Sequence, residues 1–276
     1  MTKGGANMSA PTAAASPPIH DDALTACAIS LISAILCNVL HEGLGHGAVD
    51  LLTGAQSGVI STVAWSSATN TRLVPAGGPL VNLVLGIVLW IALRAATRAS
   101  MQLRYFLLTG MAFNLFACTG YFLFSGVTNF GDWAAVIAPM HPHWLWRTLL
   151  VLVGIASYYG AVLVVGIALV KYLGVPLSEP RRLTKLLYIP YFSAIFLLSA
   201  GGLMNPLERM TFFEAGLPGV VGGNVGLLWL RYYIPRKTAP ERETAAIARS
   251  FVWIAVAAAM SLVFVFVLGR GITLRR

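Results

Sequence analysis

The sequence predicts an all-α polytopic membrane protein with six to seven transmembrane helices, and three observations carry that prediction. Of its 276 residues, 57% are hydrophobic and only 11% charged, against about 25% charged in soluble domains. The 19 Lys and Arg and the 10 Asp and Glu are clustered, leaving uncharged stretches at 23–41, 73–93, 105–131, 148–170, 186–207 and 250–269. Each stretch can cross roughly 30 Å of hydrocarbon as a helix, which takes about 20 residues. Spans and connecting loops use nearly the whole length. This excludes a separate soluble catalytic domain and places any function in or beside the bilayer.

Residues 1–20 are rich in Ala, Pro, Ser and Thr with a single Lys3, and read as a disordered tail. They make a poor signal peptide, because the basic segment is thin and Asp21-Asp22 stands directly before the first apolar run. Cys27, Cys37 and Cys118 fall inside apolar spans without a C-x-x-C pair, so no disulfide framework is indicated. The net charge of +9 fits loop Lys and Arg that set topology and touch anionic headgroups. The lipid bilayer, and not nucleic acid, is the expected partner of that charge.

At the end of the first span the sequence reads Leu40-His41-Glu42-Gly43-Leu44-Gly45-His46-Gly47. Ionisable side chains at membrane depth are costly and demand a reason, and a metal supplies one. Imidazoles and carboxylates are common zinc ligands, and a Glu beside a ligating His can take a proton from metal-activated water. In H-E-x-x-H motifs the two His are four apart and share a helix face. Here His41 and His46 are five apart, about 140° on a regular helix, which points them away from each other. A π-bulge would bring them back together, and Gly43, Gly45 and Gly47 make the backbone permissive. A local helix distortion is therefore predicted. The competing geometry is a regular helix with Glu42, His46 and Asp50 in series on one face, in which Asp50 or Glu42 becomes a ligand and His41 is spare.

The second span opens with Pro75-Ala76-Gly77-Gly78-Pro79-Leu80-Val81-Asn82-Leu83, which reads as a turn with Pro79 at a helix start. Asn82, one turn into a membrane helix, wants a hydrogen-bond partner; it is a candidate donor to a substrate carbonyl or developing oxyanion, or a helix-packing residue. After the third span comes Asn129-Phe130-Gly131-Asp132-Trp133, and Asp132 is the only acid between Asp50 and Glu179. Taken alone it would be a helix cap. The end of the first span, the start of the second and the end of the third reach one membrane face, so Asp132 becomes the candidate third ligand. His141 and His143 read as solvated interfacial histidines. If His41, His46 and Asp132 bind one ion at about 2 Å, their donor atoms must converge to about 3–4 Å.

Basic residues concentrate in alternate loops, at 94–104, 171–185 and 231–242. With the Gly-rich stretch 215–230 counted as a span, this places the amino terminus and these loops in the cytoplasm. Arg270, Arg275 and Arg276 then lie outside and break the rule, so either that stretch is re-entrant or the bias is imperfect there. The default reading of Gly219–Gly226 is a packing seam of small residues.

On these residues the chain resembles the site-2 protease family of intramembrane zinc metallopeptidases. Three elements match in order: His-Glu with Gly-His-Gly on one span, Gly-Gly-Pro-Leu-Val-Asn-Leu opening the next, and an aspartate beside Gly131 after the third. The His-Glu-x-x-x-His spacing marks a divergent member. The resemblance implies a three-helix metalloprotease-like core within 21–140, followed by additional transmembrane helices in 141–276. It implies zinc held by His41, His46 and Asp132, with Glu42 as general base and Asn82 against the active site. It also implies hydrolysis of membrane protein or peptide substrates by a multi-pass protein, here expected in a bacterial cytoplasmic membrane. Residues 58–65 and 71–74, rich in Val, Ile and Thr, resemble the family's membrane-associated β-hairpin, whose edge would receive an extended substrate. The alternatives are a non-catalytic metal-binding homologue and a polytopic transporter with Gly-broken segments lining a polar path.

Overall fold

In the computed structural model, which describes residues 19–68, 71–205 and 209–275, the chain is an all-α polytopic bundle with one small sheet. The tail expected at 1–20 lies almost wholly outside these residues. Among the described residues six helical segments are long and apolar enough to cross a membrane: Ala23–Leu52, Leu73–Ala95, Met101–Thr128, His143–Leu173, Pro180–Leu203 and Phe251–Arg270. They begin and end where local chemistry dictates. The Asp22 side chain caps α1 (Ala23–Leu40) by accepting from the Thr25 N–H at 2.8 Å. Ser100 caps α4 (Met101–Thr128) in the same way, each cap satisfying an amide that has no intrahelical partner. The helix α3 (Leu73–Ala95) starts six residues before Pro79, which therefore lies inside it and removes one helical hydrogen bond. Polar side chains inside the spans bond back to their own helix, as Ser30 does to the Ala26 carbonyl at 2.7 Å.

The core lies between α1, α4, α6 (His143–Leu173) and α7 (Pro180–Leu203). At one end of the bundle the buried Asp21–Arg182 pair knits the amino-terminal segment to α7 and to the 244–247 segment. Arg182 Nε donates to Asp21 Oδ2 at 2.7 Å and its Nη1 to Thr244 Oγ1 at 2.7 Å, while Asp21 Oδ1 accepts from the Ile247 N–H at 2.8 Å.

The Gly-rich stretch falls short of a regular span, yet it carries the chain from one end of the bundle to the other. It is broken into α8 (Arg209–Thr211), a π-helical turn (Phe212–Gly216), α9 (Leu217–Gly223) and α10 (Gly226–Trp229). The Phe212 ring lies against Gly202 near the end of α7. Farther along, the Tyr191 hydroxyl donates to the Val221 carbonyl at 3.2 Å. Arg231 then reaches Thr184 near the start of α7, and Glu241 pairs with Lys171 at 2.6 Å. This segment is thus a seventh, broken crossing and not a re-entrant loop. Backbone groups freed by the break find partners: the Tyr158 hydroxyl donates to the Gly223 carbonyl at 2.7 Å and accepts from the Gly226 N–H at 2.8 Å, as non-helical backbone at membrane depth requires. The seam expectation holds for Gly226, packed on Tyr158, Phe116 and Val162, and for Gly223, whose Cα would lie 3.4 Å from a Cβ on Gly120; a Cβ at Gly219 or Gly222 would meet nothing within 4 Å.

Seven crossings put Asp21 and Arg275 at opposite ends of the bundle. After α11 (Phe251–Phe266), the strand β3 (Ile272–Arg275) joins β1 (Ser57–Ile60) and β2 (Trp65–Ser67) in an antiparallel sheet of order β2-β1-β3. The hairpin is present, but its second strand is 65–67; residues 71–72 form a turn and 73–74 already belong to α3. β1 pairs on both sides, Val59 with Ser66 and with Thr273, so it offers no open edge to an extended chain.

A candidate metal centre

The first span is continuous from Ala23 to Leu52, but residues His41–Gly47 form a π-helical turn between α1 and α2 (Ala48–Leu52). The Ala48 N–H donates to the Gly43 carbonyl five residues back. In such a turn residues five apart stack as residues four apart do in an α-helix, which brings His41 and His46 onto one face. Asp50 does not join them. It is fully buried, and its Oδ2 accepts from Trp65 Nε1 at 2.8 Å. The regular-helix alternative with Asp50 as ligand is thereby replaced, because the inserted residue rotates Asp50 toward the hairpin.

The third donor comes from α5 (Asp132–Ile137). Asn129 ends α4 in the left-handed conformation at φ 57°, and Gly131 turns the chain at φ 84°, a conformation suited to glycine. Trp133 stacks on Phe122 at 4.7 Å between ring centroids, and Arg72 Nε donates to the Val136 carbonyl at 2.7 Å. These contacts fix α5 between α3 and α4. Asp132 makes no cap; its carboxylate faces the histidines.

Nε2 of His41 and Nε2 of His46 lie 3.1 Å apart. His41 Nε2 is 3.3 Å from Asp132 Oδ2, and His46 Nε2 is 3.5 Å from Oδ1. Tetrahedral ligands at about 2.0–2.1 Å from one ion are about 3.3 Å apart, so the three spacings bracket the value a single ion demands. His41 and His46 are 6% and 7% exposed. Burial alone would raise the Asp132 carboxyl, but hydrogen bonds and charge from the two imidazoles hold it well below the usual carboxylate range. His141 and His143 are outside this group; the latter faces Asn129 at 2.9 Å on the surface.

The tautomers follow from a chain of hydrogen bonds that starts at a backbone carbonyl. Asn114 Nδ2 donates to the Gly110 carbonyl at 2.8 Å, so Asn114 Oδ1 must accept, and Asn82 Nδ2 donates to it at 2.8 Å. Asn82 Oδ1 therefore faces His41 Nδ1, which must carry the proton. His46 Nδ1 faces the Val74 carbonyl at 2.7 Å and carries a proton for the same reason. In the neutral imidazoles both Nε2 atoms then present lone pairs toward each other and toward the carboxylate. A metal ion shared by the two nitrogens and the carboxylate would satisfy that arrangement, as would protons on Nε2 donated to Asp132. Ligating histidines characteristically donate their second N–H to such carbonyl oxygens.

Other features fit an ion at this place. Asp132 Oδ2 and Glu42 Oε2 are buried without hydrogen-bond partners, although each can only accept when ionised. A Cβ on Gly78 would lie 2.5 Å from His46 Nε2 and 2.6 Å from His41 Nε2, so Gly78 leaves the room the ligands use. Gly45 of the π-turn and Gly77–Gly78 of α3 press backbone against backbone. His41, His46 and Asp132 thus form a group able to hold a metal ion.

Glu42, 4% exposed, lines a cavity of about 640 Å³ together with His41 and Tyr121. The cavity is mostly apolar and runs between α1, α4, α6 and the broken crossing. Asn82, expected against a substrate, is fully buried with both ends of its amide engaged. Asn114, Val74 and Trp65 support the site and carry no sequence signal of their own, since one acts through a neighbour, one through its backbone and one from a strand. No protein-family profile, curated protein or solved structure matches this chain.

Proposed function

We propose that this protein is an intramembrane zinc metallopeptidase, a divergent member of the site-2 protease family that hydrolyses peptide bonds of membrane protein substrates in a bacterial cytoplasmic membrane. The observation that carries this reading is the convergence of His41, His46 and Asp132 beside Glu42, at the wall of an apolar cavity inside the bundle. Two imidazoles, one carboxylate and an open position suit a catalytic zinc, which when bound would polarise the scissile carbonyl and make water acidic. His41 and His46 offer Nε2 and Asp132 a carboxylate oxygen; Asn82 and Val74 hold the rings in the required tautomer. Glu42 takes a proton from the attacking water as its oxygen bonds to the carbonyl carbon. It returns that proton to the amide nitrogen, which leaves with the electron pair of the broken C–N bond. The cavity's apolar walls receive the substrate's apolar side chains. Twelve of the 19 Lys and Arg lie at 94–104, 171–185 and 231–249, at the end opposite the site, and that bias directs the site away from the cytoplasm.

The test is metal analysis of the purified chain together with cleavage of co-expressed single-span membrane proteins. Close to one zinc per chain is expected, lost in His46→Ala and Asp132→Asn, whereas Glu42→Gln keeps zinc and abolishes cleavage. Zinc retained in both ligand variants, iron in its place, or undiminished cleavage by Glu42→Gln would overturn the reading.

A further inference from the structure

Peptide hydrolysis places negative charge on the substrate carbonyl oxygen, and a preorganised donor aimed at that oxygen is among the largest contributions an active site makes. Most polar donors that line the cavity are engaged elsewhere. Asn82 is occupied with Asn114; Asn38 Nδ2 donates to the Thr62 carbonyl at 3.2 Å, and Asn224 Nδ2 to the Val220 carbonyl at 3.2 Å. The Tyr158 hydroxyl is held by the broken crossing. Tyr121 differs from all of these. It projects from α4 into the same cavity as His41 and Glu42, and its hydroxyl makes no hydrogen bond among the described residues. Its ring stacks on the His41 imidazole, with centroids 5.5 Å apart and planes at 25°, and meets Phe124 edge-on at 6.3 Å. The ring is thereby fixed against a ligand of the centre, while the hydroxyl lies in the combined field of Glu42 and Asp132. A neutral donor suits that field.

Resting on the peptidase reading above, we propose that the Tyr121 hydroxyl donates the hydrogen bond that stabilises the oxyanion of an apolar peptide substrate, the role expected of Asn82 from the sequence. Thr62, whose hydroxyl also lacks a partner, sits beyond β1 and serves as the comparison.

The experiment uses the full-length, metal-loaded chain in detergent and a phosphinic tetrapeptide with Leu and Ala flanks, whose tetrahedral phosphinate carries the same negative oxygen. Tyr121→Phe keeps the ring and removes one oxygen. Metal stoichiometry and metal affinity should be unchanged, while phosphinate affinity falls about 10- to 100-fold, and Thr62→Val should leave both unchanged. Wild-type phosphinate affinity in Tyr121→Phe overturns the proposal for this residue and leaves the peptidase reading standing; so does loss of metal, which would make Tyr121 a support for His41. A drop in Thr62→Val alone assigns the role to Thr62. A wild-type chain that holds zinc but does not bind the phosphinate overturns both.

Discussion

Gly78→Ala is the sharpest single perturbation of the metal centre. Helix propensity favours the change, since Ala is about 1 kcal/mol better than Gly inside a helix, and Gly78 lies within α3. Any loss therefore comes from the new methyl. It would sit 2.5–2.6 Å from His46 Nε2 and from His41 Cε1 and Nε2, where ordinary contact begins at 3.4 Å. One or both rings must yield by about 0.8–0.9 Å, the difference of those distances. The rings have no slack, because Nδ1 of each is pinned, His41 to Asn82 and His46 to the Val74 carbonyl. Metal–ligand distances tolerate only about 0.2 Å, so the displaced imidazole ceases to be a ligand. Removing an outer-shell partner costs 10–100-fold in metal affinity; loss of a ligand itself should exceed about 100-fold. The assay is competition of the purified chain with a chromophoric chelator, with Gly219→Ala, whose Cβ meets nothing within 4 Å, as control. Near-native affinity in Gly78→Ala, with the fold intact by circular dichroism, would show that the histidines do not converge as described.

Two further outcomes follow. Asn82→Leu leaves the His41 Nδ1–H and the Asn114 amide without their partner, and should weaken metal binding about 10- to 100-fold while detergent-solubilised chains still migrate as a single folded species. Arg182→Met leaves Asp21 a buried, uncompensated carboxylate, with its side chain 1% exposed; thermal or denaturant unfolding should show a loss of about 3–5 kcal/mol, with metal affinity unchanged because the pair lies at the far end of the bundle.

Much of the centre was legible because the membrane makes polar residues conspicuous. A five-residue His spacing among three glycines pointed to a distorted helix, and the π-turn at His41–Gly47 is that distortion. Asp132 stood out as a solitary acid in a long apolar interval, and it reaches the histidines. Asp50 misled because a regular helix would stack it with His46; the extra residue in the turn rotates it onto Trp65. The supports were hidden for different reasons. Val74 acts through a carbonyl that every residue possesses, and Asn114 depends on a contact between α3 and α4 that no local pattern encodes. The Gly-rich stretch 215–230 stayed open between a span and a re-entrant loop because hydropathy measures apolar length, whereas its backbone is held by Tyr158 and Tyr191 from other helices. The strand β3 escaped because four residues after a span have no periodicity to read, and their partner lies more than 200 positions earlier.

That last pairing has a bearing on biogenesis. β1 follows the first crossing and waits unpaired on one side until residues 272–275 arrive beside it. Ile60 of β1 packs over Gly43 of the π-turn, so the metal-bearing turn is coupled through the sheet to residues made more than 200 positions later. A chain still leaving the ribosome has its histidines in the membrane but not the finished sheet beside them. The fold therefore carries its own timing: the centre reaches its final surroundings only after residues 272–275 have been made.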